Sequence, residues 1–465
     1  MINDILTQVN ELLYGWLLIA VLVTGGLYFS FRTGFGQLRT LPEQFQSITE
    51  KNEKGVSPFQ TLMVSTASRV GTGNIVGVST ALCLGGFGSV FWMWVIAILG
   101  GATAFVESTL AQIYKKRGKG SCYGGPAYYI EACCKSRLVA IIFSVLLIIT
   151  YGVGFNMLAS YNLQSTFQGY GFYHSSYSPW IIGGITALAV GYCLFGGGRR
   201  IMKVTQYVVP VMGVLYILVA QIITFLNLGA LPGILARIFR EAFDFRAIGG
   251  GLGGSCLIYG IKRGLFSNEA GVGSAPNAAA SAEVSHPAKQ GLAQILSVFI
   301  DTLLICTATA FMCMASGVEP SPALSGAPYV QAALKKSLGS FGPVFITVSM
   351  ALFAFTTLIG NLFYVDKGIR YVIGRDLRKK ERIIVNIISS LVILFGAVLS
   401  AELLWNLSDI AMGLMTLINM PVLFLMGKYA IRALKNYLRQ IKTRKDPTFC
   451  TRYVGITERL DYWQE

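Results

Sequence analysis

Val70-Gly71-Thr72-Gly73-Asn74 lies inside an apolar stretch, about residues 58–84, that is long enough to cross a membrane. Each glycine costs roughly 1 kcal/mol against alanine in a helix interior. Lipid supplies no partner for backbone groups released there, so they must line a cavity or meet a ligand. If the helix is interrupted at this point, the half-helix starting near Ile75 presents free N–H groups and a partial positive charge of about half a unit, where an amino-acid carboxylate would bind. The carbonyls that end the preceding half, from Ala67 to Val70, then face a cation. Asn74 offers a side-chain oxygen to an ion or an ammonium group. The same glycines would equally serve a close contact between helices.

Other residues invite chemistry. Arg69 carries a charge into the same apolar stretch, at a cost of about 3 kcal/mol. It needs an acidic partner such as Glu107 or Asp301, or else reaches toward an interface. Gly264 to Pro276 (GLFSNEAGVGSAP) is rich in small residues. It reads as an inner gate in which Glu269 exchanges ion pairs with Lys262 or Arg263, or as a loop capped by Ser267 and Asn268. Thr356 and Thr357 sit in the middle of an apolar run. Their hydroxyls suit a hard cation such as sodium, or bond their own backbone four residues back.

The elements that must hold these residues are membrane helices. The chain is 54% hydrophobic and 13% charged, against about 25% charged in soluble domains. Eleven apolar spans follow from the pattern, at about 12–31, 58–84, 88–114, 138–160, 180–196, 204–228, 246–262, 288–316, 343–365, 383–400 and 403–427. With the N-terminus outside, each span flips the chain. Lys115 to Lys119, Arg199 to Lys203, Lys367 to Arg382 and the tail from Lys428 then fall inside, while few basic residues fall outside. That asymmetry is the one expected of cytoplasmic loops. It also explains the net charge of +16 without nucleic acid, and it lets the inner loops touch anionic lipid.

Spans two and seven are the glycine-interrupted ones, the latter at Gly249 to Gly254. They are five spans apart, so the second half enters the membrane inverted. The expected fold is an all-α polytopic membrane protein with one leading helix (12–31) and two inverted five-helix repeats (58–228 and 246–427), together a transporter domain over 1–427. Corresponding broken helices in two inverted halves point to a central binding site. A basic tail, 428–465, reads as cytoplasmic and loosely amphipathic through Ile431, Leu434, Leu438 and Ile441, lying on the inner leaflet. Nine cysteines and two histidines form no zinc spacing and no disulfide framework. No nucleophile elbow, HExxH or phosphate-binding loop occurs, so neither an enzyme nor an ATP-driven pump is indicated, and no organic cofactor is expected. Saturable carriage driven by an ion gradient, or a passive channel, remains.

Three stretches resemble the alanine or glycine:cation symporter family. They are Arg69 to Thr80 (RVGTGNIVGVST) with the following GSVFWMWV, Gly264 to Pro276, and His286 to Thr309 (HPAKQGLAQILSVFIDTLLICTAT). The resemblance runs from about residue 12 to 428. It implies a LeuT-like inverted-repeat fold and sodium-coupled import of a small neutral amino acid, alanine or glycine, across a prokaryotic cytoplasmic membrane. It also implies that Thr72 and Gly73 hold the substrate carboxylate, and that Ala67, Val70, Thr356 and Thr357 hold Na⁺. Two departures bear on the substrate side chain. Asn361 follows Gly360 where alanine-transporting members usually have tryptophan, and Asn156-Met157 lacks the glutamine that often follows. Glutamine is therefore an alternative substrate.

Overall fold

A computed structural model describes residues 2–49, 55–118, 122–244, 254–443 and 446–463. Among the described residues the chain is helical, and the only strand-like pairing is an isolated bridge between Lys116 and Tyr123. Among the described residues, seven helices are by length and composition apolar enough to cross a membrane. They are α1 (Asp4–Thr33), α4 (Ser89–Ile113), α5 (Arg137–Ser165), α7 (Gly197–Leu226), α9 (Pro287–Ala315), α10 (Phe341–Ile373) and α12 (Ala401–Gln440). The remaining sequence spans fall on shorter helices: α2 (Pro58–Arg69), α3 (Gly73–Gly85), α6 (Ser178–Leu194), α8 (Gly254–Asn268) and α11 (Lys379–Gly396). Gly249 to Gly253, where a glycine interruption was expected, lie outside the described residues.

The helices are layered by composition. The most apolar windows of α4 and α9 are 72% and 67% buried, against 28% for α7. So α4 and α9 form the middle of the molecule, and α7 turns most of its surface to lipid. Glycine sets how closely the inner helices meet. A Cβ on Gly260 of α8 would stand 2.6 Å from the Ser89 carbonyl oxygen of α4, and one on Gly291 of α9 would stand 2.1 Å from Thr109 Oγ1. Small residues permit this approach where helices gain stability from van der Waals contact rather than from water exclusion.

The chain beyond residue 427 departs from expectation. The last helix runs unbroken to Gln440 and buries Ile431, Leu434 and Tyr437 against the protein. Its apolar stripe therefore faces the bundle instead of a leaflet. The segment after it folds back. Val454, Ile456 and Leu460 pack on Ile113 and Ala433, and Trp463 Nε1 donates to the Gln112 carbonyl at 2.9 Å. Arg117 N donates to Asp461 at 2.6 Å, and Lys115 Nζ stands 3.8 Å from the Tyr462 ring centre.

Candidate substrate and cation site

Ser57 starts α2 with a reciprocal cap. Its hydroxyl accepts from Gln60 N, and Gln60 Oε1 accepts from Ser57 N, each at 3.2 Å. The helix ends at Val70, whose ψ of 87° leaves the helical basin. Gly71 N then donates to Asn74 Oδ1 at 2.7 Å instead of continuing the ladder. The N–H groups of Thr72 and Gly73 have no acceptor among the described residues, and α3 begins at Gly73 as a widened, π-type turn. Apolar membrane sequence with two glycines thus opens here, as the residue types require, and leaves two neighbouring donors.

Gly71 is fixed by what stands opposite. A Cβ there would come within 2.0 Å of Thr357 Oγ1. That hydroxyl donates to the Ala67 carbonyl at 3.2 Å. Thr356, one residue earlier, turns to its own helix and donates to the carbonyls of Leu352 and Phe353 at 3.0 and 3.1 Å. The sodium candidates are therefore brought together in part: Ala67, Val70 and Thr357 meet at the break, whereas the Thr356 hydroxyl is occupied by α10.

A second interruption faces the first. The helix α8 ends at Asn268, and Glu269, Gly271 and Gly273 take φ of 54°, 86° and 87° before a short helix at Pro276–Ala279. Glu269 holds a left-handed conformation that side chains other than glycine seldom adopt. The sequence reading set this segment at the cytoplasmic end of its span; the structure buries it against the first break. Ser68 Oγ donates to Glu269 Oε1 at 3.2 Å and Ser274 Oγ to Glu269 Oε2 at 2.5 Å. The expected ion pair of Glu269 with Lys262 or Arg263 does not form. Those cations sit about two turns back along α8, beyond reach, and pair with buried Asp409 of α12 at 3.0 and 3.4 Å.

Ser68, Arg69, Gly71, Thr72, Gly73, Phe155, Phe266, Glu269 and Thr357 line a small cavity of about 10 Å³ between the two breaks. Phe155 and Phe266 cover it, ring centres 4.5 Å apart, and Trp405 lies 4.8 Å beyond Phe266. Asn74 is placed behind the cavity, its amide nitrogen donating to Asp301 Oδ1 at 2.7 Å. Asn361 also stands one layer back, accepting from Ser68 Oγ at 2.6 Å and donating to Asn156 at 3.0 Å.

Arg69 is 2% exposed, so it does not reach an interface. Its expected direct partners, Glu107 and Asp301, lie within range of its charge, as does Glu269. Its hydrogen bond goes to Gln294 Oε1 at 2.9 Å, and its Nε and Nη2 have no partner among the described residues.

Sequence reasoning missed Asp409, Asn162 and Asn419. Asp409 was legible, because a lone acid in an apolar run attracts the argument applied to Arg69. Asn162, whose amide donates to Thr72 Oγ1 at 3.0 Å, carried no signal: it lies almost two turns past Asn156 in an ordinary polar helix end. Asn419, which donates to the Gly271 carbonyl at 3.0 Å and accepts from Tyr129 at 2.7 Å, was equally silent.

Two interrupted helices meet at a small cavity inside this helical membrane bundle, the arrangement expected of a carrier of small solutes. The chain belongs to the sodium:alanine symporter family, whose sequence profile it matches over residues 1–451. It is 43% identical over 458 residues to the probable sodium/glutamine symporter GlnT of Bacillus subtilis, covering 98% of this chain and 94% of that one. It is 39% identical to the amino-acid carrier protein AlsT of the same organism, covering 100% and 98%. The sodium/alanine symporter AgcS of Methanococcus maripaludis is 33% identical, with 93% and 97% covered. Among solved structures, MhsT in complex with L-phenylalanine shares the fold, with a TM-score of 0.55 at 17% identity over 83% of this chain and 97% of that one.

Proposed function

We propose that the protein is a secondary active symporter that imports a small neutral amino acid, alanine or glycine, together with Na⁺. The observation that carries this reading is the pair of N–H groups on Thr72 and Gly73, without acceptors among the described residues and on residues that line a small cavity. They would take the substrate carboxylate. The Ala67 and Val70 carbonyls with the Thr357 hydroxyl would take the cation, since sodium prefers oxygen ligands. The proposed architecture is eleven spans, one leading helix and two inverted five-helix repeats, in a prokaryotic cytoplasmic membrane with the N-terminus outside and the C-terminus inside. One bundle would rock against the other when both ligands are bound.

A second reading is glutamine. The Ser68–Asn361–Asn156 amide chain beside the cavity supports it, as does the glutamine symporter among the relatives. A passive channel has less support, because the relatives are carriers and symporters. Uptake of radiolabelled alanine, glycine and glutamine into proteoliposomes tests the reading, with an inward Na⁺ gradient or with choline replacing Na⁺. Concentrative uptake that disappears in choline supports it; equal uptake in both rejects the coupling.

A further inference from the structure

Helices α6 and α11 pack side by side, and the seam between them opens into an apolar groove of about 520 Å³. Its floor is made by Gly184, Ala187 and Gly191 on α6 and by Ser390 and Asn386 on α11. Its banks are long side chains that turn outward, among them Leu188 at 77% exposure and Tyr192 at 75%. From Gly184 to Phe195 the groove follows eleven helical steps, about 16 Å. That is close to one leaflet, half of a hydrocarbon core of about 30 Å. Its shape and chemistry are those of a slot for one acyl chain.

Two further observations identify the lipid. Asn386 is 8% exposed, and its Nδ2 has no hydrogen-bond partner among the described residues. A buried donor left unmatched costs about 1–3 kcal/mol, and Asn386 lines the groove, so an acceptor seated there would relieve that cost after a small side-chain turn. An ester or phosphate oxygen is such an acceptor. The groove also ends among basic residues. Arg200 donates to the Tyr192 carbonyl at 2.8 Å and lies 5.0 Å over the Tyr192 ring. Arg199, Lys203, Lys379 and Lys380 are exposed at the same end. Nearby acids are already matched, Glu381 to Arg375 at 2.7 Å and Asp366 to Arg382 at 3.3 Å. Among the described residues, Arg200 and Lys380 have no acidic partner.

We propose that the α6–α11 seam is a binding site for an anionic phospholipid, with one acyl chain lying along Gly184 to Gly191, a glycerol-level oxygen accepting from Asn386, and the phosphate held at Arg200 and Lys380.

The test uses the full chain purified in detergent and incubated with phosphatidylglycerol or with phosphatidylcholine of the same acyl chains. Native mass spectrometry reads the lipid retained. Phosphatidylglycerol should be retained preferentially. The exposed double variant Arg200→Gln/Lys380→Gln, which touches no core, should lose that preference by about five-fold per removed charge. Gly191→Leu, with folding checked by its thermal midpoint, should lose retention of both lipids, because the side chain fills the floor. Asn386→Leu should weaken retention without changing the preference. Equal retention of the two lipids by the wild type overturns the proposal. So does Gly191→Leu retaining lipid as the wild type does, or a lipid-free dimer that Gly191→Leu dissociates, which would put a second copy of the chain in the groove.

Discussion

The Thr357 hydroxyl donates to the Ala67 carbonyl at 3.2 Å, which ties the middle of α10 to the last turn of α2 where that helix stops. The contact exists because residue 71 is glycine: an added Cβ would stand 2.0 Å from the same hydroxyl. Gly71→Ala should therefore push α10 from the break. We expect a destabilisation of about 1–3 kcal/mol and loss of Na⁺-dependent uptake. Adding Thr357→Ala should restore the thermal midpoint, because the clashing oxygen is gone, but not the sodium dependence, because a cation ligand is gone with it. Uptake in proteoliposomes and thermal unfolding in detergent check the two halves separately.

Asn361 should govern selectivity more than affinity. It touches the cavity only through Ser68, at 2.6 Å, and is held by Asn156. Replacing it by alanine leaves Ser68 and Asn156 without their amide. Competition assays should then show glutamine losing about ten-fold against alanine, as expected when a hydrogen-bonded polar site loses one partner. An unchanged ratio would remove Asn361 from substrate choice.

Asp409 neutralises two buried cations, Lys262 and Arg263. Asp409→Asn leaves both in place with no counter-charge. We expect a loss of about 3–5 kcal/mol, read as a lowered thermal midpoint. Asp409→Asn with Lys262→Met should recover part of it. A midpoint unaffected by the single change would show that water already screens the cluster.

Much of the site was legible because its logic is local. Gly71, Thr72 and Gly73 could be read as a break from glycine content and apolar context alone, and the backbone opens there. What escaped depends on the approach of distant segments. Nothing within residues 264–276 says that Glu269 will meet Ser68, two hundred residues earlier, instead of the adjacent Lys262 and Arg263. Helical geometry explains it afterwards, since Glu269 lies beyond the end of α8 and the two cations are inside it. The tail misled for a related reason. Ile431 and Leu434 make an apolar stripe, but a stripe does not say whether it faces lipid or protein.

His286 gives a pH dependence. It caps α9, with Nδ1 accepting from Ala288 N at 3.2 Å. Burial, with help from Lys289, holds its imidazole down at about 4, against Asn436, which pulls the other way. The free value is about 6.5, so the folded protein resists a proton that the unfolded chain accepts. The contribution is intact above pH 6.5 and is lost as pH falls toward 4, by about 3 kcal/mol across that window. Thermal midpoints from pH 7.5 to 4.5 should fall more steeply for the wild type than for His286→Asn. Parallel curves would show that the ring is solvated.

The folded-back tail should act as a cover over the ends of α4 and α9. Its anchors are mutually dependent. Arg432 of α12 holds the Val454 carbonyl at 2.9 Å, Phe449 packs edge-on to His286 with ring centres 5.2 Å apart, and Trp463 lies against Phe449 at 5.0 Å. Beneath them is Cys122, 4% exposed, its thiol pushed up by burial. A small cluster of this kind opens locally at far lower cost than the bundle unfolds. In a background with Cys133, Cys134 and Cys450 changed to serine, Tyr462→Ala/Trp463→Ala should raise the rate at which a water-soluble thiol reagent labels Cys122 by about ten-fold, with the midpoint of the bundle little changed. Labelling that ignores the tail variants would mean that residues 449–463 rest on the protein without sealing it.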